Sequence, residues 1–83
     1  MKVTVKYFAS IRETIGVGSE QRETQASSLA ALRDELIALG GAHAESLARG
    51  RAVRLALNQV MCDESAELVE GAEVAFFPPV TGG

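Results

Sequence analysis

Ser27-Ser28-Leu29-Ala30-Ala31-Leu32-Arg33-Asp34-Glu35-Leu36-Ile37-Ala38-Leu39-Gly40-Gly41 is the stretch whose reading decides the fold. Leu29, Leu32, Leu36 and Leu39 recur every three or four residues with Ile37 beside them, which lines them up on one stripe of an α-helix. Arg33, Asp34 and Glu35 fall on the other face in this reading. Ser27 or Ser28 is the candidate N-cap, because a serine hydroxyl accepts from an amide left orphaned in the first turn. Gly40-Gly41 stops the helix, since glycine takes the left-handed conformation that closes helix C-termini. A single apolar stripe must be buried against another layer, so the flanks are read for a sheet.

Upstream, Val3, Val5 and Tyr7 alternate with Lys2, Thr4 and Lys6, the period of a half-buried strand, and Phe8 falls on the polar side. Residues 9–15 read as a short helical turn closed by Gly16, and Gly16-Val17-Gly18 as a turn. Residues 19–25 are nearly all polar and show no buried face; they read as an edge strand. Downstream, residues 42–49 suggest a second short helix. Leu55 and Leu57 then alternate with Arg54 and Ala56, Asn58-Gln59 is a tight-turn candidate, and Val60-Met61-Cys62 is a short strand. A polar loop over 63–67 and an anchor and turn at 68–71 lead to the last strand, Glu73–Phe77.

The order predicts an α+β fold: a β-grasp, or ubiquitin-like, arrangement with a mixed sheet and one main helix packed on one face. Val3, Val5, Leu55, Leu57, Val74 and Phe76 are expected to meet the leucine stripe. Residues 1–77 are read as the domain and 78–83 as an extended C-terminal arm.

Composition narrows the chemistry. Eight basic against eleven acidic residues leave a net charge of −3, which argues against nucleic acid as a main partner. Apolar runs such as Val74–Phe77 are far too short to span a membrane, so no membrane partner is expected and a cytoplasmic location is the default. One cysteine and one histidine rule out an internal disulfide, a multi-cysteine zinc site and a histidine pair, so neither a metal nor a bound cofactor is expected. Cys62 reads as a small strand residue whose thiol Asp63 and Glu64 hold protonated. His43 reads as a surface or helix-cap residue.

The C-terminus differs from the rest. The chain's two prolines, Pro78 and Pro79, directly follow the last strand, where they end the ladder and project an extended segment. Gly82 and Gly83 carry no side chain, so such a segment can thread a narrow channel and present a carboxylate to another protein's active site. A frayed end is the alternative; departure from the best-patterned strand favours presentation. Phe8 and Phe77 share the parity of the sheet face away from the helix, with Ala75 and Met61 nearby. They form either a docking surface or a patch covered by loops.

Glu70-Gly71-Ala72-Glu73-Val74-Ala75-Phe76-Phe77-Pro78-Pro79-Val80-Thr81-Gly82-Gly83 resembles the C-terminal signature of the small subunits of molybdopterin synthases, the sulfur carriers of molybdenum cofactor biosynthesis. Tyr7-Phe8-Ala9-Ser10-Ile11-Arg12-Glu13-Thr14-Ile15-Gly16 is similar to that family's opening strand and turn, and Leu57-Asn58-Gln59 to its central hairpin. The resemblance is looser over 17–26 and 40–53. It implies that a ubiquitin-activating-type adenylyltransferase uses ATP to make a glycyl adenylate at Gly83, and that a sulfur donor protein converts it to the thiocarboxylate, 1-thioglycine. Val80, Thr81 and Gly82, with Pro78 and Pro79, then line the arm inside the large subunit, which supplies the catalytic groups; the small subunit is not catalytic alone. Sulfur passes to a cyclic pyranopterin monophosphate to build the dithiolene, within a heterotetramer. Phe8, Met61 and Phe77 are the candidate large-subunit contacts. Alternative readings are a sulfur carrier for the thiamin thiazole or for tRNA thiolation, and a ubiquitin-like protein modifier.

Overall fold

The computed structural model describes residues 1–79. In chain order it forms β1 (Lys2–Tyr7), α1 (Ala9–Ile15), β2 (Ser19–Glu23), α2 (Leu29–Ile37), α3 (Gly41–Leu47), β3 (Arg54–Leu57), β4 (Val60–Cys62) and β5 (Glu73–Phe77). The strands make one sheet in the order β2-β1-β5-β3-β4. β1 and β5 run parallel, and the other pairs are antiparallel. Parallel neighbours need a long crossover, and the helices lie in it. This is the α+β β-grasp that the element order predicts.

Register sets the core. Val5 pairs with Val74 and Val74 with Leu57, while Tyr7 pairs with Phe76 and Phe76 with Leu55. Paired residues point to the same side of a sheet, so these rows meet Leu29, Leu32 and Leu36 of α2, all fully buried. Full burial of such a side chain is worth about 2 kcal/mol. Ser28 caps α2, its Oγ accepting from the Ala31 amide at 3.2 Å. At the β3–β4 turn, Asn58 (φ 50) and Gln59 (φ 68) adopt the left-handed pair that a two-residue hairpin needs. The Asn58 amide donates to the Glu73 carbonyl, and Asn58 Oδ1 accepts from the Glu73 amide, which fastens the turn to the start of β5.

Several expectations are corrected. The stripe ends at Leu36: α2 stops at Ile37, and Leu39 lies past its end, exposed. Gly41 begins α3 rather than only ending α2. Leu57 is only partly buried. Arg33 is buried rather than solvent-facing. Its Nε donates to the Leu47 carbonyl at 2.8 Å and its Nη2 to the carbonyls of Ala48 and Arg51 at 2.9 and 3.1 Å. The last carbonyls of a helix have no partner within it, and this guanidinium supplies one from α2. Burial lowers the Arg33 pKa, and the Glu64 carboxylate, 3.7 Å away, opposes that shift.

The edge strand is also less bland than its composition. Residues of β2 that face the helices are polar, and each bonds to a helix or to a neighbouring buried group. Arg22 Nε and, just past the strand, Thr24 Oγ1 both donate to the Glu35 carboxylate on α2. Glu20 Oε2 accepts from Tyr7 Oη at 2.6 Å and lies 2.9 Å from His43 Nε2 on α3. His43 therefore docks α3 on the sheet, edge-on to the Tyr7 ring, and is neither a cap nor a free surface residue. Burial, then Glu20, push the Tyr7 phenol well up, so it remains a donor. Burial alone would raise the Glu20 pKa, but the hydrogen bonds from His43 and Tyr7 outweigh it and hold the carboxyl below its ordinary value.

Arg33→Met leaves three carbonyls without their donor, and should cost about 3 kcal/mol in urea unfolding. The depressed Glu20 pKa stabilises the fold above the unfolded-state value of 4.5, and this contribution is lost as pH falls through the lower folded-state value. Glu20→Gln should therefore cost about 1 kcal/mol at pH 7, the carboxylate being partly exposed. It should also flatten the acid side of the stability–pH curve.

Candidate functional site: an apolar patch on the open sheet face

The alternation that sends Val5, Tyr7, Val74 and Phe76 to the helices sends their neighbours to the opposite face. Lys6 pairs with Ala75, Ala75 with Ala56, and Ala56 with Met61, so one row crosses four strands. One residue beyond β1, the Phe8 amide donates to the Phe76 carbonyl at 3.1 Å. That bond carries the ladder past the strand end and sets Phe8 beside Phe77. Their rings meet edge to face, with centroids 6.1 Å apart.

Ala56 and Ala75 are buried, whereas Phe8 is 44% and Met61 54% exposed. Phe77 is half-buried. Lys6, paired with Glu73 at 3.4 Å, and Arg54, opposite Phe77, border the patch. An apolar centre with a charged rim is the make-up of a protein-binding surface. The structure thus joins Phe8 directly to Phe77 and puts Met61 on the same face two strands away, across the two alanines.

Backbone geometry presents Phe8. Ala9 has φ 51, a left-handed conformation unusual for a residue with a side chain. It turns the chain from strand to helix at once, and the Phe8 carbonyl accepts from the Ile11 and Arg12 amides. Composition could not reveal this turn, because alanine is not a residue that announces a positive φ. The row of small residues at Ala56 and Ala75 shows only once strand order and register are known.

Pro78 and Pro79 follow Phe77 outside any strand and are partly buried. The candidate residues Val80, Thr81, Gly82 and Gly83 lie outside the described residues. Cys62 pairs with Leu55 and is half-buried; burial, then the Asp63 carboxylate, push its thiol pKa up. Among the described residues no group of three His, Cys, Asp or Glu side chains could hold a metal ion. No helix there is long and apolar enough to cross a membrane.

The ThiS family model matches residues 5–83. The chain is 38% identical to a molybdopterin synthase sulfur carrier subunit of Haemophilus influenzae, over 98% of this chain and 99% of that one. Among solved structures it is similar to a putative molybdopterin converting factor subunit 1 from Pyrococcus furiosus (TM-score 0.77, 29% identity, covering 96% and 99% of the two chains). It is also similar to a chain in a protein–protein complex of subunits 1 and 2 of the molybdopterin-converting factor from Helicobacter pylori (TM-score 0.70, 28% identity, 100% of both chains).

Because the Cys62 thiol is held protonated, iodoacetamide should alkylate it at pH 7 several-fold more slowly than a free cysteine, with a raised pH midpoint, as followed by intact mass. A rate equal to or above that of free cysteine would contradict this account of the site.

Proposed function

The chain belongs to the ThiS family, and from that premise we propose that it is the sulfur carrier subunit of a molybdopterin synthase. The observation that carries this reading is the placement of the Phe8–Phe77 patch at the end of β5, directly before Pro78 and Pro79. A partner seated on that patch is positioned to receive the residues that follow. The solved complex of a similar chain with a second subunit supports a large-subunit partner.

In this reading the working group is the carboxylate of Gly83. A carboxylate resists substitution because its leaving group would be oxide. Attack of the carboxylate oxygen on the α-phosphorus of ATP, in an adenylyltransferase, expels pyrophosphate and forms the glycyl adenylate. The terminal sulfur of a persulfide on a donor protein then displaces AMP. Thiol cleavage of the resulting acyl disulfide leaves the thiocarboxylate, and the donor sulfur departs in a new disulfide. Gly82 and Gly83 have no side chains to obstruct a narrow channel, and Pro78 and Pro79 stiffen the arm near the body. Val80 and Thr81 lie between them. The large subunit brings the acid–base groups and the cyclic pyranopterin monophosphate, and each visit of the carrier delivers one of the two dithiolene sulfurs. Cys62 takes no part.

Incubation with ATP, an activating enzyme and a persulfide donor should give a sulfur-for-oxygen mass gain confined to Gly83. Cys62→Ser should retain that gain, and deletion of Gly83 should abolish it without changing the thermal melt. A ladder of protein conjugates without the mass gain would instead identify a modifier. Phe77→Asp should weaken large-subunit binding by about 30-fold or more, measured calorimetrically, because it puts a charge at the centre of the contact.

A further inference from the structure

The two cations that border the apolar patch are not equivalent. Lys6, on β1, lies 3.4 Å from the Glu73 carboxylate and is neutralised within the chain. Arg54, the first residue of β3, pairs directly with Phe77, so the two side chains leave the sheet on the same face. Directly opposed β-carbons are about 5 Å apart. Arg54 is exposed and forms no ion pair among the described residues. The carboxylates that share its surroundings are engaged elsewhere. Asp63 and Glu64 line, with Arg54, Met61 and Cys62, an open cleft of about 470 Å³ beside the paired ends of β3 and β4. Asp63 Oδ1 accepts from the Ser65 amide at 2.8 Å and from the Ser65 hydroxyl. Glu64 bonds to Arg49 and pairs with Arg33.

An exposed guanidinium is stable in water. A partner seated on Phe77 also takes water away from Arg54, because the two residues are directly opposed. Desolvating an unpaired charge is costly, so such a partner must supply an acceptor at this corner. The planar fork of arginine matches a carboxylate with two parallel hydrogen bonds. The chain as a whole carries a net charge of −3 and repels acidic surfaces. A local cation beside the patch therefore also selects where an acidic partner can land.

We propose that Arg54 is the charged specificity contact of the docking face, receiving an aspartate or glutamate of the large subunit in a bidentate pair beside Phe77. This rests on the reading of that face as the large-subunit docking surface. Phe8, Phe77 and Met61 supply apolar contact, and Arg54 fixes the orientation of the partner.

The test is calorimetric binding of the cognate large subunit at low and high salt. Arg54→Ala should weaken binding about 10-fold, and Arg54→Glu by more, with the loss shrinking as salt rises. Arg54→Lys keeps the charge without the fork and should recover only part of the affinity. Arginine substituted for one acidic residue of the large subunit should restore binding to Arg54→Glu. Arg51→Glu makes the same change in net charge beside the helices and should leave the affinity within about 2-fold of wild type. Asp63→Asn should bind at least as tightly as wild type, because Asp63 is not the partner of Arg54. Thermal melts of the Arg54 variants should match wild type. If Arg54→Glu binds like wild type while Phe77→Asp does not, the proposal is overturned and the docking reading stands. If the wild-type chain does not bind, both fall. Equal losses in Arg51→Glu and Arg54→Glu reveal a net-charge effect and overturn the proposal.

Discussion

The parallel pairing of β1 with β5 is the constraint on which the rest of the molecule depends. It joins the beginning of the chain to its last strand at the centre of the sheet, with Val5 against Val74 and Tyr7 against Phe76. Everything between must cross from one to the other, and α2 makes that crossing by burying Leu29, Leu32 and Leu36 over the paired rows. The same pairing fixes the opposite face. Once Tyr7 and Phe76 point inward, Phe8 and Phe77 stand beside each other outside. Core and outer apolar patch are thus two consequences of one register, and a slip by one residue would exchange them.

Around this dry centre the periphery is held by charge and hydrogen bonding. A strand as polar as β2 cannot secure an edge by apolar burial. Instead Glu20 bonds to Tyr7 of β1 and His43 of α3, while Arg22, and Thr24 just past the strand, bond to Glu35 of α2. On the other side Arg33 holds the end of α3, while Arg49 joins Asp34 to Glu64. For a small domain, whose core is limited by its size, such polar ties fix how the helices sit without requiring more apolar surface.

Elements whose periodicity matched their burial were legible in the sequence. The leucine stripe, the alternation of Val3, Val5 and Tyr7, and the strand ending at Phe77 gave the β-grasp, and parity put Phe8 and Phe77 on one face, with Met61 added from the neighbouring strand and the family resemblance. What escaped were residues whose environment comes from distant chain. Arg33 reads as a solvated charge until α3 packs its orphan carbonyls against it. His43 and Glu20 are 23 residues apart and meet only in the fold. Leu39 fits the stripe by spacing but falls beyond the last turn of α2. Ala9 conceals its left-handed backbone behind an ordinary side chain.

The central place of β5 has a mechanical consequence. β5 is bonded on one side to β1 and on the other to β3. A partner that grips the residues beyond Pro79 and pulls would load β5 along its own length. Ladder hydrogen bonds lie across that direction, so those on both flanks share the load and must break together rather than one after another. A pull applied at the C-terminal end of β5 is therefore resisted by both ladders at once, and the domain does not unravel from that end.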